Sequence, residues 1–282
     1  MNEYHLTLAG LRTILRTPHE ITISNNLRPF LCEPHSEIDC TIELQPCDRL
    51  PAFSENGVWN GPEYYDSCKD ATRTFHCSTP HSAAFAVTEH FENGNIKIRI
   101  LPAYLHYFTG SAGIFNRIGL ETLLLQHLGL LLHASLIKFD GKAIAFSGPS
   151  GIGKSTQANI WQQHFNAEIL NGDRAALRKT ADGWVAYGCP FAGTSGIYKN
   201  DSASLAAIIV LQQSGENRLH RLSPAEALRH IYPELSIHHW NKAFVAKATD
   251  IAIELLRNVP IFLLECLPEE SAALLAKKGL GL

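Results

Sequence analysis

The sequence predicts an α/β protein in two parts: a smaller, mainly β domain over residues 1–115, then a domain over 116–282 in which strands alternate with helices. Three observations predict it. Short alternating runs, such as Glu20-Ile21-Thr22-Ile23 and Asn95-Ile96-Lys97-Ile98-Arg99-Ile100, fill the first part between Pro, Gly and Asn breaks. The second part mixes apolar runs of strand length with segments of helical spacing. Residues 148–156, Gly148-Pro149-Ser150-Gly151-Ile152-Gly153-Lys154-Ser155-Thr156, leave an apolar strand and enter a helix.

Each element has its own signal. Asn93-Gly94 between two alternating runs predicts a hairpin. The stretch from Ser54 to Asp70, with two glycines and one proline, reads as a long exposed loop. A helix is expected over about residues 117–130, where Leu120, Leu123, Leu124, His127 and Leu128 share a face. Two strands flank Asp140-Gly141, and the second, Ala143-Ile144-Ala145-Phe146, feeds the glycine-rich loop. Ile160, Trp161 and Phe165 mark the helix after the loop. Strands follow at Glu168-Ile169-Leu170, on either side of Asp182-Gly183, and at Ala206-Ala207-Ile208-Ile209-Val210-Leu211. Ser223-Pro224-Ala225-Glu226 fits a capping box with Pro at the first helical position. A helix at about 240–257, a strand at 260–266 and a helix from Pro268 close the chain.

Composition narrows the function classes. The chain of 282 residues is 45% hydrophobic and 18% charged, a globular balance, and its net charge of −3 gives no general attraction to nucleic acid or to an anionic membrane. The most apolar region, Ile118 to Ile137, contains Glu121, Gln126, His127 and His133, so it reads as a buried helix and strand rather than a membrane span. Met1-Asn2-Glu3-Tyr4-His5 lacks the basic and apolar regions of a signal peptide, and a cytoplasmic location is expected. Seven cysteines have irregular spacings and no C-x-x-C pair, so reduced thiols are expected. His76-Cys77 and His81 are the alternative, as zinc ligands.

Residues 148–156 fill every fixed position of the phosphate-cradling pattern G-x-x-x-x-G-K-[ST]. Its glycines let successive backbone N–H groups point at phosphate oxygens. The expected nucleotide-binding set is therefore Gly148, Ser150, Gly151, Ile152, Gly153, Lys154, Ser155 and Thr156. Lys154 supplies a charge for the β- and γ-phosphates of ATP, and Ser155 a hydroxyl for Mg²⁺.

Phosphoryl transfer needs further groups. Asp173 is the first carboxylate after the loop helix to follow an apolar run, the place for a second Mg²⁺ ligand or a proton acceptor; the competing reading of Asn171-Gly172-Asp173 is a turn. His133, in the apolar run Leu130-Leu131-Leu132-His133, is equally a core histidine or a site residue one strand away from the loop. The segment Tyr187 to Lys199 reads as a substrate and phosphate-contact loop or a plain surface loop, with Lys199 its only cation. Arg174 and Arg178 are further candidates for charge neutralisation.

His133, the hairpin at Asp140-Gly141, the loop 148–156 and Asp173 together resemble the catalytic domain of bacterial HPr serine kinases, which share a nucleotide-binding fold with ATP-dependent phosphoenolpyruvate carboxykinases. The mid-chain loop entered from a hairpin, and an acidic residue only nineteen positions after Lys154, carry the resemblance. It covers residues 130–200 best, and the loop Gly188-Cys189-Pro190-Phe191-Ala192-Gly193 is similar to shorter HPr-kinase-like proteins found with peptide-maturation enzymes, including lasso-peptide kinases. It implies an HPr-kinase/carboxykinase-like P-loop domain using ATP and Mg²⁺, with γ-phosphate transfer to a serine-type hydroxyl of a peptide or protein. By position it assigns Lys154 and Ser155 to phosphate and metal, His133 to the histidine ahead of the loop, and Asp173 to the second of an acidic pair whose first member is here Gly172. With one carboxylate left, His133 is expected to share the proton-acceptor role. The resembling kinases form rings, so a homo-oligomer is allowed. A small-metabolite kinase of the adenylylsulfate type and a non-catalytic nucleotide-binding regulator are the alternatives. An exposed sheet edge in the first domain is the expected dock for an extended acceptor peptide.

Overall fold

A computed structural model describes residues 1–191 and 193–282. The chain divides into two compact units, one of residues 1–127 and 238–245, the other of 128–237 and 246–282. The single boundary at 115/116 expected from sequence therefore shifts, and the first unit is built from two chain segments. Among the described residues no helix is long and apolar enough to cross a membrane.

The first unit carries β1 (Asn2–Leu8), β2 (Leu11–Thr17), β3 (Cys40–Pro46), β4 (Val58–Asn60), β5 (Glu63–Ser67), β6 (Ala71–Cys77), β7 (Ala84–Phe91) and β8 (Ile96–Ile100). They form one sheet in the order β1-β2-β3-β8-β7-β6-β5-β4. The Asn93-Gly94 hairpin joins β7 to β8 as expected, with Gly94 at φ 84°. The expected long loop over Ser54–Asp70 instead carries two strands: β4 and β5 form a hairpin around Gly61-Pro62, and β5 pairs with β6. Burial decides it. Tyr64 and Tyr65 are buried, and Asp66 is buried against the Arg73 guanidinium at 2.6 Å.

Two short helices follow, α1 (Ser111–Phe115) and α2 (Leu120–Gln126). The helix expected over 117–130 is cut to seven residues by left-handed backbone on both sides, at Gly119 (φ 59°) and Leu128 (φ 56°). The alternative zinc ligands do not assemble. The His76 ring nitrogens meet Thr88 Oγ1 at 2.9 Å and Glu63 Oε1 at 3.3 Å, and His81 lies against the Trp59 ring. Among the described residues no group of three or more His, Cys, Asp or Glu side chains could hold a metal, and all seven cysteines are free.

His90 on β7 is buried with Nδ1 unpartnered, and burial pushes its pKa down to about 4 against the opposing pull of Glu121. The unfolded chain protonates this ring near pH 6.5 and the folded chain only near 4. Between these values the unfolded state binds more protons, so stability falls as pH drops through the window, by about 3 kcal/mol in total. Urea unfolding at pH 7 and pH 4.5 should show this loss, and His90→Phe should reduce it. An unchanged pH slope in His90→Phe would exclude His90 as the source.

The second unit contains β9 (Gly129–Phe139), β10 (Lys142–Ser147), α3 (Lys154–Phe165), β11 (Glu168–Asn171), β12 (Arg174–Thr180), β13 (Gly183–Tyr187), β14 (Ser202–Gln213), β15 (Arg218–Arg221), α4 (Pro224–Ile231), α5 (Lys242–Asn258, begun in the first unit), β16 (Ile261–Cys266) and α6 (Glu270–Leu280). The strand order is β10-β9-β12-β13-β14-β16-β15, with β11 on β9 and a further β10–β14 pairing that closes a ring of strands. Strands β10, β14 and β16 run parallel. Asp140-Gly141 makes the tight β9–β10 turn with both residues left-handed (φ 48° and 71°), the geometry that matches strand twist. The helix α3 buries Ala158 and Trp161 in a core with Ile144, Phe146 and Ile209 of β10 and β14. The expected capping box opens α4, Ser223 and Glu226 bonding reciprocally.

Candidate functional site

Residues Gly148–Gly153 connect the carboxyl end of β10 to the amino end of α3. Gly148 (φ 138°), Gly151 (φ 80°) and Gly153 (φ 119°) adopt backbone conformations that side chains disfavour. A Cβ on Gly148 would also press on Ile152 Cγ2 at 3.3 Å and the Leu211 carbonyl at 3.4 Å. The loop therefore lies close over β14. Ser150, Gly151, Ser155 and Thr156 are exposed around it, while Lys154 is buried.

The Lys154 ammonium curls back onto the loop, donating to the carbonyls of Gly148 (2.7 Å) and Pro149 (3.1 Å). Burial lowers its pKa, and the carboxylates of Glu234 and Asp173 oppose that shift. A desolvated cation inside a loop at a helix N-terminus is an arrangement that can hold an anion.

His133 sits one strand away on β9, whose neighbour Ala134 pairs with Ser147, the last residue before the loop. Its Nδ1 lies 2.9 Å from Glu234 Oε2 and its Nε2 3.8 Å from Asp173 Oδ1. Glu234 belongs to a single turn after α4, held there by Leu235 bridging Leu132 and by Ser236 N–H donating to the Leu131 carbonyl at 2.9 Å. The Glu234 carboxylate can accept a hydrogen bond from a proton-bearing Nδ1, and Nε2 faces Asp173.

The Asn171-Gly172-Asp173 turn is made by Asn171 rather than Asp173. Asn171, wholly buried, accepts the N–H groups of Asp173 (2.9 Å) and Arg174 (2.8 Å) at Oδ1. Its Nδ2 donates to the Cys189 (2.9 Å) and Phe191 (2.8 Å) carbonyls, tying the 188–191 segment to the turn. The Asp173 carboxylate is left to meet His133 and the Arg174 Nε at 3.5 Å. The rest of the 188–199 loop returns through Tyr198, which bridges Asn171, and Lys199, whose N–H reaches the Leu170 carbonyl. Ala192, also part of that loop, lies outside the described residues.

The expected cations divide. Arg174 pairs with His133 across β12–β9 and stays at the cluster. Arg178 pairs with Gly129, four residues further along, about 13 Å at strand rise. Lys199 is engaged at Nζ by Glu168 at 2.7 Å.

Sequence reasoning missed Glu234, which carries no motif, and a pocket of about 420 Å³ beside the loop. Gly151, Thr156 and Gln157 line one side of it, and Gln213 and Cys266 at the carboxyl ends of β14 and β16 the other. Ligands of α/β sheets favour this edge. Gln157 is 2% exposed, donates to Cys266 Sγ at 3.6 Å, and keeps Oε1 without a partner.

A family model described as "ScmC: SynChlorMet cassette protein ScmC" matches residues 120–268, more than half of the chain. Among solved structures, the HPr(Ser) kinase/phosphatase from Coxiella burnetii aligns over 53% of this chain and 95% of its own, at 12% identity and a TM-score of 0.33. No curated protein matches the chain. The span 120–268 holds the glycine-rich loop, Lys154, His133, Asp173 and Glu234. The chain belongs to the family of SynChlorMet cassette proteins ScmC.

Proposed function

We propose that this protein is an ATP- and Mg²⁺-dependent kinase that transfers the γ-phosphate to a serine-type hydroxyl of a peptide or protein. The observation that carries the reading is the buried Lys154 ammonium, held by two carbonyls of a left-handed glycine loop beside the His133–Asp173 pair. ATP when bound supplies the phosphoryl group, and Mg²⁺ neutralises charge on its oxygens.

The residues present fit these groups. Lys154 exchanges its loop carbonyls for phosphate oxygens, and the N–H groups of residues 150–155 orient the phosphate chain. Mg²⁺ keeps several waters and needs only one or two carboxylates beyond phosphate. The Ser155 hydroxyl and the Asp173 carboxylate are the groups that meet that need. The pocket lined by Gln157, Gln213 and Cys266 takes the nucleoside. A hydroxyl oxygen about 2.8 Å from both His133 Nε2 and Asp173 Oδ1 fits at the apex of their 3.8 Å separation. His133 accepts the proton there, and Glu234 stabilises the imidazolium that forms. The short edge strand β4 of the first sheet, with Val58 exposed, can pair with an extended acceptor peptide. A cytoplasmic setting goes with this reading.

The test is incubation with labelled ATP, Mg²⁺ and serine-containing peptides, followed by mass spectrometry and ADP assay. Phosphate on a peptide serine is expected. Phosphate on free serine as readily as on peptide would remove the peptide acceptor, and nucleotide binding without ADP formation would remove the kinase.

A further inference from the structure

The segment Gly193–Ser195 lies directly on the Asn171-Gly172-Asp173 turn. A Cβ added to Gly172 would meet Ser195 Oγ at 2.2 Å and its Cβ at 2.4 Å, so the serine side chain rests on the bare α-carbon of Gly172. A Cβ added to Gly193 would meet the Asp173 carboxyl carbon at 2.7 Å and Oδ1 at 2.9 Å. Two glycines thus let an exposed hydroxyl-bearing segment approach the Asp173 carboxylate more closely than any other residue type would allow.

The segment is held at both ends. Asn171 ties it down on the amino side through the Cys189 and Phe191 carbonyls, and the Tyr198 bridge to Asn171 does so on the carboxyl side. Gly193 (φ 52°) and Gly196 (φ 65°) bracket Thr194-Ser195 with left-handed turns. Ser195 Oγ accepts the Ile197 N–H at 3.2 Å, which fixes its side chain without burying it.

The turn also lies close to the glycine-rich loop. Gly172 and Asp173 bond to Ser135 and Ala134 of β9, and those residues pair with Phe146 and Ser147, the end of β10. Two strand spacings, about 10 Å, separate the Gly172-Asp173 turn from the strand that enters the loop, and Ser195 rests on that turn. An alcohol tethered on the turn that carries the Asp173 carboxylate has already lost much of the entropy that a diffusing acceptor must lose.

We propose that Ser195 is a phosphorylation site of the protein's own kinase activity; this rests on the function proposed above. The bond between the γ-phosphorus of ATP and its bridging oxygen breaks, the Ser195 Oγ–phosphorus bond forms, the hydroxyl proton passes to His133 Nε2, and ADP leaves. The product adds a phosphate dianion to the segment that packs on Asp173, and like-charge repulsion drives residues 193–196 off the turn.

The experiment uses the full chain with Mg²⁺ and ATP, a serine peptide as external acceptor, and peptide mapping by mass spectrometry. One phosphate on Ser195 is expected in the wild type and not in Lys154→Ala or in an EDTA-treated sample. A phosphorylated external peptide with Ser195 unmodified would overturn this inference and leave the kinase reading standing, whereas ADP formed with no phosphorylated peptide is ATP hydrolysis and would overturn both. Phosphate on Thr194 instead, or on Ser195 in Lys154→Ala, would overturn it too. No ADP and no phosphopeptide of any kind would remove both. Ser195→Ala is the assignment control: phosphate persisting on its 193–199 peptide would also contradict the site.

Discussion

Lys154→Ala should lose phosphoryl transfer by about a hundred- to a thousand-fold while remaining folded. The ammonium is the positive side chain at the centre of the glycine loop, and phosphoryl transfer is accelerated chiefly by positioned charge. Folding should survive because burial already disfavours this charge, and one of its two hydrogen bonds goes to the carbonyl of the exposed Pro149. Lys154→Met keeps more of the packed stem and should give the same rate loss. Initial ADP rates and thermal unfolding, measured side by side, check both halves. A well-folded Lys154→Ala protein with near-normal turnover would end the kinase assignment.

The second large effect is expected at Asp173. Asn171 supplies the hydrogen bonds of the turn, so Asp173→Asn removes a charge and leaves the backbone as it was. A rate loss of roughly a hundredfold or more is expected if Asp173 is the Mg²⁺ and acceptor group proposed above. A rate within about threefold of wild type would return Asp173 to a structural role. Asn171→Ala should behave oppositely, losing stability first, because it strands the buried Cys189 carbonyl and the half-buried Phe191 carbonyl.

Local signals were legible in the sequence and long-range ones were not. Asp140-Gly141, Asn93-Gly94, the glycine-rich loop and the Ser223–Glu226 cap each act within a few residues, and each forms where the sequence places it. His133 and Asp173 could be named, and the structure brings them to 3.8 Å. Glu234 could not, since a lone glutamate after a helix has no pattern and reaches His133 across 101 positions through the Leu132–Leu235 bridge and the Ser236–Leu131 hydrogen bond. The Ser54–Asp70 hairpin was hidden by its Gly and Pro content, which marks the turn at Gly61-Pro62 rather than a missing sheet. The division of labour between Asn171 and Asp173 was hidden too, because both residue types suit a turn and only burial tells which one makes it.

The return of residues 238–245 to the first unit sets a timetable for synthesis. All eight strands of that unit's sheet have been made by Ile100. Yet the Glu121 carboxylate meets His238 from 117 positions later, and Tyr65 stacks on Trp240 at 5.5 Å. A chain leaving the ribosome amino end first holds an unfinished first unit throughout translation of residues 128–237. During that interval Glu121 lacks the histidine it pairs with and Tyr65 lacks its stacking partner. A fragment ending at residue 127 would be arrested in that state, prone to associate with other chains, and a ribosome pause before Trp240 would lengthen the exposure.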